Sequence, residues 1–379
     1  MDWIPFNKPY MTGKELFNIA QAHFNGMLAG DGPFTKSCQA KLELMTGAPK
    51  ALLTHSCTAA LEMAALLCDL RSGDEVIMPS FTFVSTANAV VLRGAKPVFA
   101  DIDPFTLNID PMAVEQLISS RTRAICVVHY AGGCCDMGRI LELAALHGLL
   151  VIEDAAQAIT STYQGRSLGA LGDYGALSFH ETKNIIAGEG GALLVNSADQ
   201  VLRSEIIREK GTNRTAFLRG QVDKYSWVDI GSSFLPGEVV AAFLSAQLDG
   251  CDEIIKRRMD LWLNYHAAFA ELESIGWLRR PIFHSECQHN AHMYYLLLRN
   301  VEERSGFIEF MKSRGVQAIF HYVPLHSSEY SRCNGWDEGR VLPVTDLAAE
   351  RLVRLPLWVG MEPFQSRIIQ AVGDFFDSR

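Results

Sequence analysis

The nine cysteines include no Cys-x-x-Cys pair, and Cys134 and Cys135 are adjacent. An odd count fits poorly with a complete set of intrachain disulfides, so reduced thiols are expected. Long apolar runs are missing as well: none approaches the roughly 18 residues of a membrane span. Residues 1–16 hold no continuous apolar core of signal-peptide length, and a cytoplasmic protein is the expectation. Excess positive charge is absent. The chain has 34 Lys and Arg against 43 Asp and Glu, a formal net charge of −9. Neither nucleic acid nor a membrane is an expected partner, although a few local cations suffice for a small anion. No Gly-x-Gly-x-x-Gly follows an apolar run, which argues against a dinucleotide-binding fold. No repeat or low-complexity tract stands out.

What remains is an ordinary globular composition over 379 residues, 48% hydrophobic and 20% charged. Short apolar runs recur at 51–53, 75–78, 97–100, 124–128, 149–152, 175–179 and 192–195. They are too short for helices and are bounded by turn residues, so they read as buried strands. Helical patterns lie between most of them. Met137, Ile140, Leu141 and Ala144 mark one helix face, and His147-Gly148 ends it. Alternating strands and helices predict an α/β fold, a mostly parallel sheet with helices on both faces. The rhythm fades after Asn196. Helices are expected over 201–210 and 239–275, separated by a polar, basic loop. Beyond Gly276, strands at 293–298 and 318–322 and helices at 304–314, 345–354 and 362–376 suggest a smaller α+β domain. The expected division is 1–250 and 251–379, with the boundary in or just after the long helix.

Ligands of open α/β sheets bind beyond the carboxyl ends of the strands, so the residues following each run carry the search for chemistry. Ser56, Cys57 and Thr58 begin a helix after the first run. Small hydroxylated residues there suit a phosphate, and a plain Ser/Thr cap is the alternative. Phe81 and Phe83 follow the second run, where a ring is available for stacking, though core packing is the common use. Asp154 ends an apolar strand. A carboxylate in that position requires a cationic or hydrogen-bonding partner. Lys183 follows the sixth run and precedes Gly188-Glu189-Gly190-Gly191. It lies about one crossover unit after Asp154. A phosphate cradle, an aromatic face, a buried acid and an amine are together what pyridoxal phosphate (PLP) requires.

The sequence resembles the fold-type-I, PLP-dependent sugar-nucleotide aminotransferases over nearly its whole length. The stretches that carry this are Glu153-Asp154-Ala155-Ala156-Gln157, Gly172-Asp173, Ser178-Phe179-His180-Glu181-Thr182-Lys183-Asn184 and Gly188-Glu189-Gly190-Gly191. The resemblance implies roles. Lys183 is the Schiff-base lysine and proton carrier, Asp154 pairs with the pyridinium, and Gln157 bonds the ring hydroxyl. Ser56, Cys57, Thr58 and Ser178 surround the phosphate, and Phe83 packs on the ring. It also implies a homodimer with shared active sites. Where some members carry a partner-chain Asn, this chain reads Gly231-Ser232-Ser233, and Ser232 or Ser233 is the expected substitute.

A narrower resemblance lies in Ile4-Pro5-Phe6-Asn7, in residues 210–214 and 219–227, and in Phe320-His321-Tyr322-Val323-Pro324-Leu325-His326. Members sharing these stretches use glutamate to aminate a dTDP-linked 4-keto-6-deoxyglucose, giving the 4-amino-4,6-dideoxygalactose nucleotide and 2-oxoglutarate. Lys210, Arg214, Arg219 and Lys224 make a local positive patch suited to a pyrophosphate, or a solvated loop. His321 and Tyr322 are expected at the sugar; His326 is a further candidate, and for the two histidines a structural role is the equal alternative. His321 and His326 lack further ligands nearby, so no metal is expected. Relatives that dehydrate instead carry His at the lysine position, and Lys183 argues against that chemistry. Intact Lys183, Asp154 and Gln157 argue against a non-catalytic regulator.

Overall fold

The computed structural model describes residues 3–336 and 339–377. Each of the seven apolar runs forms a strand of one sheet. They are β1 (Lys50–Thr54), β2 (Glu75–Pro79), β3 (Lys96–Ala100), β4 (Thr122–Val128) and β5 (Leu150–Asp154), followed by β8 (Tyr174–Ser178) and β9 (Gly191–Val195). A separate small sheet has β6 (Thr162–Tyr163) paired with both β7 (Arg166–Ser167) and β10 (Cys287–Gln288). The large sheet has the order β1-β9-β8-β5-β4-β2-β3, with β9 antiparallel to both neighbours and the other pairings parallel.

Side-chain alternation divides these strands between two cores. Leu53, Ile77, Ile125, Val127 and Val151 enter one apolar cluster. Their neighbours Leu52, Val76, Met78, Cys126 and Ile152 enter the cluster on the opposite face. Helices therefore cover both faces, as the unbroken apolar runs required. The helix Met137–His147 starts at Asp136, whose carboxylate accepts the Arg139 N–H at 3.1 Å, and stops at Gly148 with φ 64°.

Alternation also separates the two carboxylates that end β5. Glu153 is fully buried and accepts four hydrogen bonds. Gly169, Leu171 and Gly172 N–H donate at 2.7–2.8 Å, and His129 Nε2 at 2.9 Å. Burial alone raises its pKa, but the His129 and backbone donors outweigh that and hold the carboxyl below its ordinary value.

A second sheet, β11-β13-β12, combines β11 (Tyr294–Leu297), β12 (Ile319–Phe320) and β13 (Leu352–Leu355). The helices Val301–Ser313 and Gln365–Asp377 pack with it around Tyr294, Phe307, Val353 and Phe375. Two expected elements differ here. The 239–275 helix is three helices, Glu238–Asp249, Cys251–Ala268 and Ala270–Ser274. A Cβ at Gly250 would lie 2.8 Å from Thr12 Cγ2, so close packing against the N-terminal segment accompanies the first break. The 345–354 helix ends at Arg351, because pairing with β11 buries Leu352, Val353 and Leu355 as a strand. Along Cys251–Ala268, Cys251 and Ile254 join the large-sheet core while Leu261, Trp262 and Tyr265 join the small one. One helix thus ties the two halves together.

Glu153→Ala is expected to destabilise the protein by about 3–5 kcal/mol, because it strands buried donors. Urea unfolding measures this. A carboxylate held below its unfolded value stabilises above about pH 4.3, and that contribution fades as pH falls through the folded value. The gap between wild type and variant therefore closes in acid.

Candidate active site

Beyond the carboxyl ends of the parallel strands lies a cavity of about 540 Å³. The helix Cys57–Leu67 opens onto it directly from β1. Ser56 caps this helix by accepting the Ala59 N–H at 3.1 Å, which leaves the N–H groups of Cys57 and Thr58 outside the helical ladder. Thr58 Oγ1 bonds Ser85 Oγ at 2.8 Å, and Ser178 Oγ accepts the His180 N–H at 3.4 Å. Ser56, Cys57, Thr58 and Ser178 all line the cavity. Gly191 makes this approach possible. A Cβ there would stand 2.5 Å from Cys57 N and from the Ser56 carbonyl. The cluster concentrates donors at a helix start, which is chemistry for an anion.

Asp154 ends β5 on the face opposite Glu153 and is buried. Thr86 Oγ1 donates to its Oδ2 at 2.8 Å, and Ala156 N–H to its Oδ1 at 3.1 Å. Among the described residues it has no ion-pair partner. Burial raises its pKa against those hydrogen bonds and against the nearby Lys183. Lys183 lines the same cavity, half-buried. Burial lowers its pKa and Arg354 adds to this, while Cys57 and Asp154 oppose it. Acid and amine, each shifted toward its neutral form, face one space.

Gln157 is held at both ends of its amide. Its Oε1 accepts the Ala131 N–H at 2.7 Å, and its Nε2 donates to Tyr322 Oη at 3.0 Å. Tyr322 and His321 line the cavity, and Tyr130 Oη bonds His321 Nδ1 at 3.1 Å. Burial holds His321 well below, and Tyr322 above, their ordinary pKa values. Both are neutral near pH 7. Phe83 lines the cavity while remaining 59% exposed, so its ring is available to a ligand. Phe81 is instead core, packed on Tyr130 and Tyr322. His326 lies outside the cavity lining and bonds Ser80 Oγ through Nδ1 at 2.8 Å, anchoring the loop that carries Tyr322.

The basic loop is not part of this cavity within one chain. Arg219 pairs with Glu205 at 2.7 Å, Lys210 with Glu209 at 3.1 Å, and Arg214 with Glu209 at 3.6 Å. Lys224, Ser232 and Ser233 are exposed. Much of the expected positive patch is spent on carboxylates nearby in the chain. The stretch also contains a short helix, Arg214–Leu218, rather than loop alone.

Sequence reasoning missed several lining groups. Phe6 and Asn7 reach the cavity, and Asn7 Nδ2 donates to the Glu181 carbonyl at 3.2 Å. Arg258 is buried, with Nε bonded to the Ala291 carbonyl at 3.1 Å and Nη2 to the His292 carbonyl at 2.6 Å. Its pKa is pushed down to about 9 by burial. His292 bonds Asn184 at 3.0 Å, next to Lys183 in the chain. Arg354 also lines the cavity. Its one sequence signal was a lone charge in the apolar run Leu352-Val353-Arg354-Leu355, and the helix reading hid it. Thr86, the partner of Asp154, stands four residues after Thr82 and left no signal.

Gly191→Ala is expected to cost about 1–3 kcal/mol of stability, since backbone rather than a flexible side chain must yield. It should also weaken anion binding at the helix start. Thermal unfolding with and without added phosphate ester measures both effects, and wild-type behaviour in the variant would contradict the close packing.

Residues 9–373 match the DegT/DnrJ/EryC1/StrS aminotransferase family. The spore coat polysaccharide biosynthesis protein SpsC of Bacillus subtilis is 33% identical over 383 residues, covering 98% of this chain and 97% of that protein. The aminotransferase TlmJ from Streptoalloteichus hindustanus superposes with a TM-score of 0.90 at 28% identity, over 99% of each chain. S. venezuelae DesV, solved with a ketimine intermediate, gives 0.90 at 29% identity, again over 99% of each. Spr1654 from Streptococcus pneumoniae, solved in its PLP form, gives 0.90 at 25% identity over 99% of each chain. The chain belongs to the DegT/DnrJ/EryC1/StrS aminotransferase family.

Proposed function

We propose that this protein is a PLP-dependent aminotransferase that transfers the amino group of glutamate to the keto carbon of a nucleotide-linked 4-keto-6-deoxysugar. One observation carries the reading. A helix start whose first N–H groups lie outside the helical ladder, a buried Asp154 with no ion-pair partner among the described residues and a half-buried Lys183 share one cavity. These residues fit the cofactor: the helix start for its phosphate, Asp154 for its ring nitrogen, Gln157 for its hydroxyl, Phe83 for its face and Lys183 for its aldehyde. The PLP and PMP forms of Spr1654 support the choice.

Bound there, PLP supplies an electron-withdrawing ring that acidifies the carbon bearing the amine. The chain supplies the rest. Asp154, fixed by Thr86 and Ala156, holds a proton at the ring nitrogen. An opposite charge within about 4–6 Å moves a pKa by roughly 1–3 units, enough to decide that site at neutral pH. Lys183 Nζ takes the proton leaving the donor's Cα and returns it, and its lowered pKa keeps a larger share of the amine unprotonated for this work. Neutral Tyr322 and His321 offer hydrogen bonds to the sugar. The N-terminal segment at Phe6 and Asn7, held by Trp358 Nε1 on the Pro5 carbonyl at 3.0 Å, limits access of water.

Residues 210–214, 219–227 and 320–326 support dTDP-4-keto-6-deoxy-D-glucose as the sugar and dTDP-4-amino-4,6-dideoxy-D-galactose as the product. The similarity to the spore coat polysaccharide biosynthesis protein SpsC supports a place in cell-surface polysaccharide biosynthesis. We read the working state as a cytoplasmic homodimer. Leu218, Tyr225, Trp227 and Val228 are exposed beside the basic residues, a surface suited to a second copy. In that arrangement Lys210, Arg214, Arg219 and Lys224 would meet the nucleotide diphosphate at the partner's cavity, with Ser232 or Ser233 near its phosphate.

Glutamate and a panel of nucleotide keto sugars test this directly. The dTDP-4-keto-6-deoxyglucose reaction is expected to yield 2-oxoglutarate and amino sugar in equal amounts. Lys183→Ala should lose about 10²–10⁴-fold in rate. A Lys183→Ala protein that completes both half-reactions at the wild-type rate would contradict the assignment.

A further inference from the structure

We propose that Cys134 and Cys287 are a modification site: a low-molecular-weight disulfide oxidises them to a reversible disulfide that locks the segment entering the small sheet onto the exit loop of β4. The inference stands apart from the reaction assigned above and concerns two thiols which that reaction does not use.

The two residues are 153 positions apart in the chain and meet in the fold. Cys134 follows the 3₁₀ turn Tyr130–Gly132 and is buried. Cys287 begins β10 and is half-buried, next to the exposed Ser285 and Glu286. The Cys134 N–H donates to Cys287 Sγ at 2.9 Å, and the two thiols are hydrogen-bonded to each other. Gly133 allows this approach, since a Cβ there would stand 2.5 Å from Phe283 Cδ1. Cys135, the next residue, is engaged elsewhere. Its Sγ donates to the Val128 carbonyl at 3.3 Å and to Asn108 Oδ1 at 3.5 Å.

The surroundings of the pair assign an order to the chemistry. The thiolate is the nucleophile in disulfide exchange. The Cys134 thiol and N–H hold the Cys287 thiol below its ordinary pKa against burial, and His129 adds to this. Cys287 is also the more exposed of the two. Its thiolate therefore attacks one sulfur of oxidised glutathione, forming a mixed disulfide and releasing one glutathione thiolate. Cys134 then loses its proton and attacks Cys287 Sγ, and the second glutathione thiolate leaves. Two protein thiols are oxidised, one glutathione disulfide is reduced, and the two cysteine protons end on glutathione. A reducing compartment keeps the pair open, and both thiols are free in this structure.

The bond would secure a lightly held crossing beside the active site. β10 is joined to β6 by two residue pairs alone, Cys287 with Tyr163 and Gln288 with Thr162. The chain then reaches Asn290, whose Nδ2 donates to the Gln157 and Ile159 carbonyls at 2.9 and 2.8 Å. The Asn290 carbonyl accepts Asn184 Nδ2 at 2.8 Å, one residue from Lys183. A link at Cys287 joins groups that already touch, so it constrains the unfolded chain far more than the folded one.

The test uses holoenzyme incubated with oxidised or with reduced glutathione. Free thiols are then blocked with iodoacetamide and the peptides are mapped by mass spectrometry without reduction. A linked Cys134–Cys287 peptide pair is expected after oxidised glutathione and should disappear on addition of dithiothreitol. The linked protein should melt about 3–8 °C higher than the reduced one. Cys134→Ser should trap a glutathione adduct on Cys287 and show no such rise. Alkylation of both cysteines after oxidation, or a link from either to a different cysteine, overturns the proposal, and neither result depends on a variant folding. A linked protein with an unchanged melting temperature overturns it as well. A protein that forms this link yet aminates no keto sugar supports the inference and defeats only the reaction assigned above.

Discussion

The active-site geometry depends on how one buried strand ends. At the tip of β5, Glu153 turns into the protein and Asp154 turns into the cavity. Glu153 is saturated by His129 and three backbone N–H groups from 169–172, so the crossover to β8 is pinned at its base. His129 Nδ1 in turn accepts the Cys135 N–H at 3.3 Å, which ties the exit of β4 to the same point. Three adjacent strand ends are thereby fixed in register. Strand alternation then requires Asp154 to face the opposite side, where Thr86 completes it. A buried carboxylate with every acceptor used is structural. The next residue, buried and short of a cation, is available for chemistry.

Around Asp154 the cavity is mainly cationic or neutral. Lys183, Arg258 and Arg354 line it, while His292 and His321 are kept neutral by burial and by those cations. A protein with net charge −9 thus encloses a pocket suited to anions. Low surrounding dielectric strengthens each such contact. The small sheet supplies one wall and the large sheet the other, with the N-terminal segment stitched across both. Ile4 pairs with Val316, and Asn7 reaches the lysine loop.

The strands were legible because burial on both faces makes them continuous apolar runs, and their ends carried the acid, the amine and the phosphate cradle. Ser56, Asp154 and Lys183 could be picked out because each stands at a strand exit, whereas the role of Gln157 came only from the family resemblance. Groups brought in by distant packing could not. Arg354 and Arg258 come from the second half of the chain, and only tertiary pairing turns Leu352–Leu355 into a strand. Thr86 matters solely because its helix passes Asp154. Lys210, Arg214 and Arg219 showed the opposite limit: a count of charges along the chain does not say which of them pair, and Glu209 and the earlier Glu205 engage all three locally.

The central claim is that the Lys183 ε-nitrogen, beside Asp154, is the attachment point for the cofactor. Reduction of the purified holoenzyme with borohydride, followed by peptide mass mapping, tests it most directly. The account predicts a pyridoxyl mass addition on Lys183, and its absence after reduction of an Asp154→Asn protein that has lost cofactor affinity. A stable addition on any other lysine, with Lys183 unmodified, would contradict it.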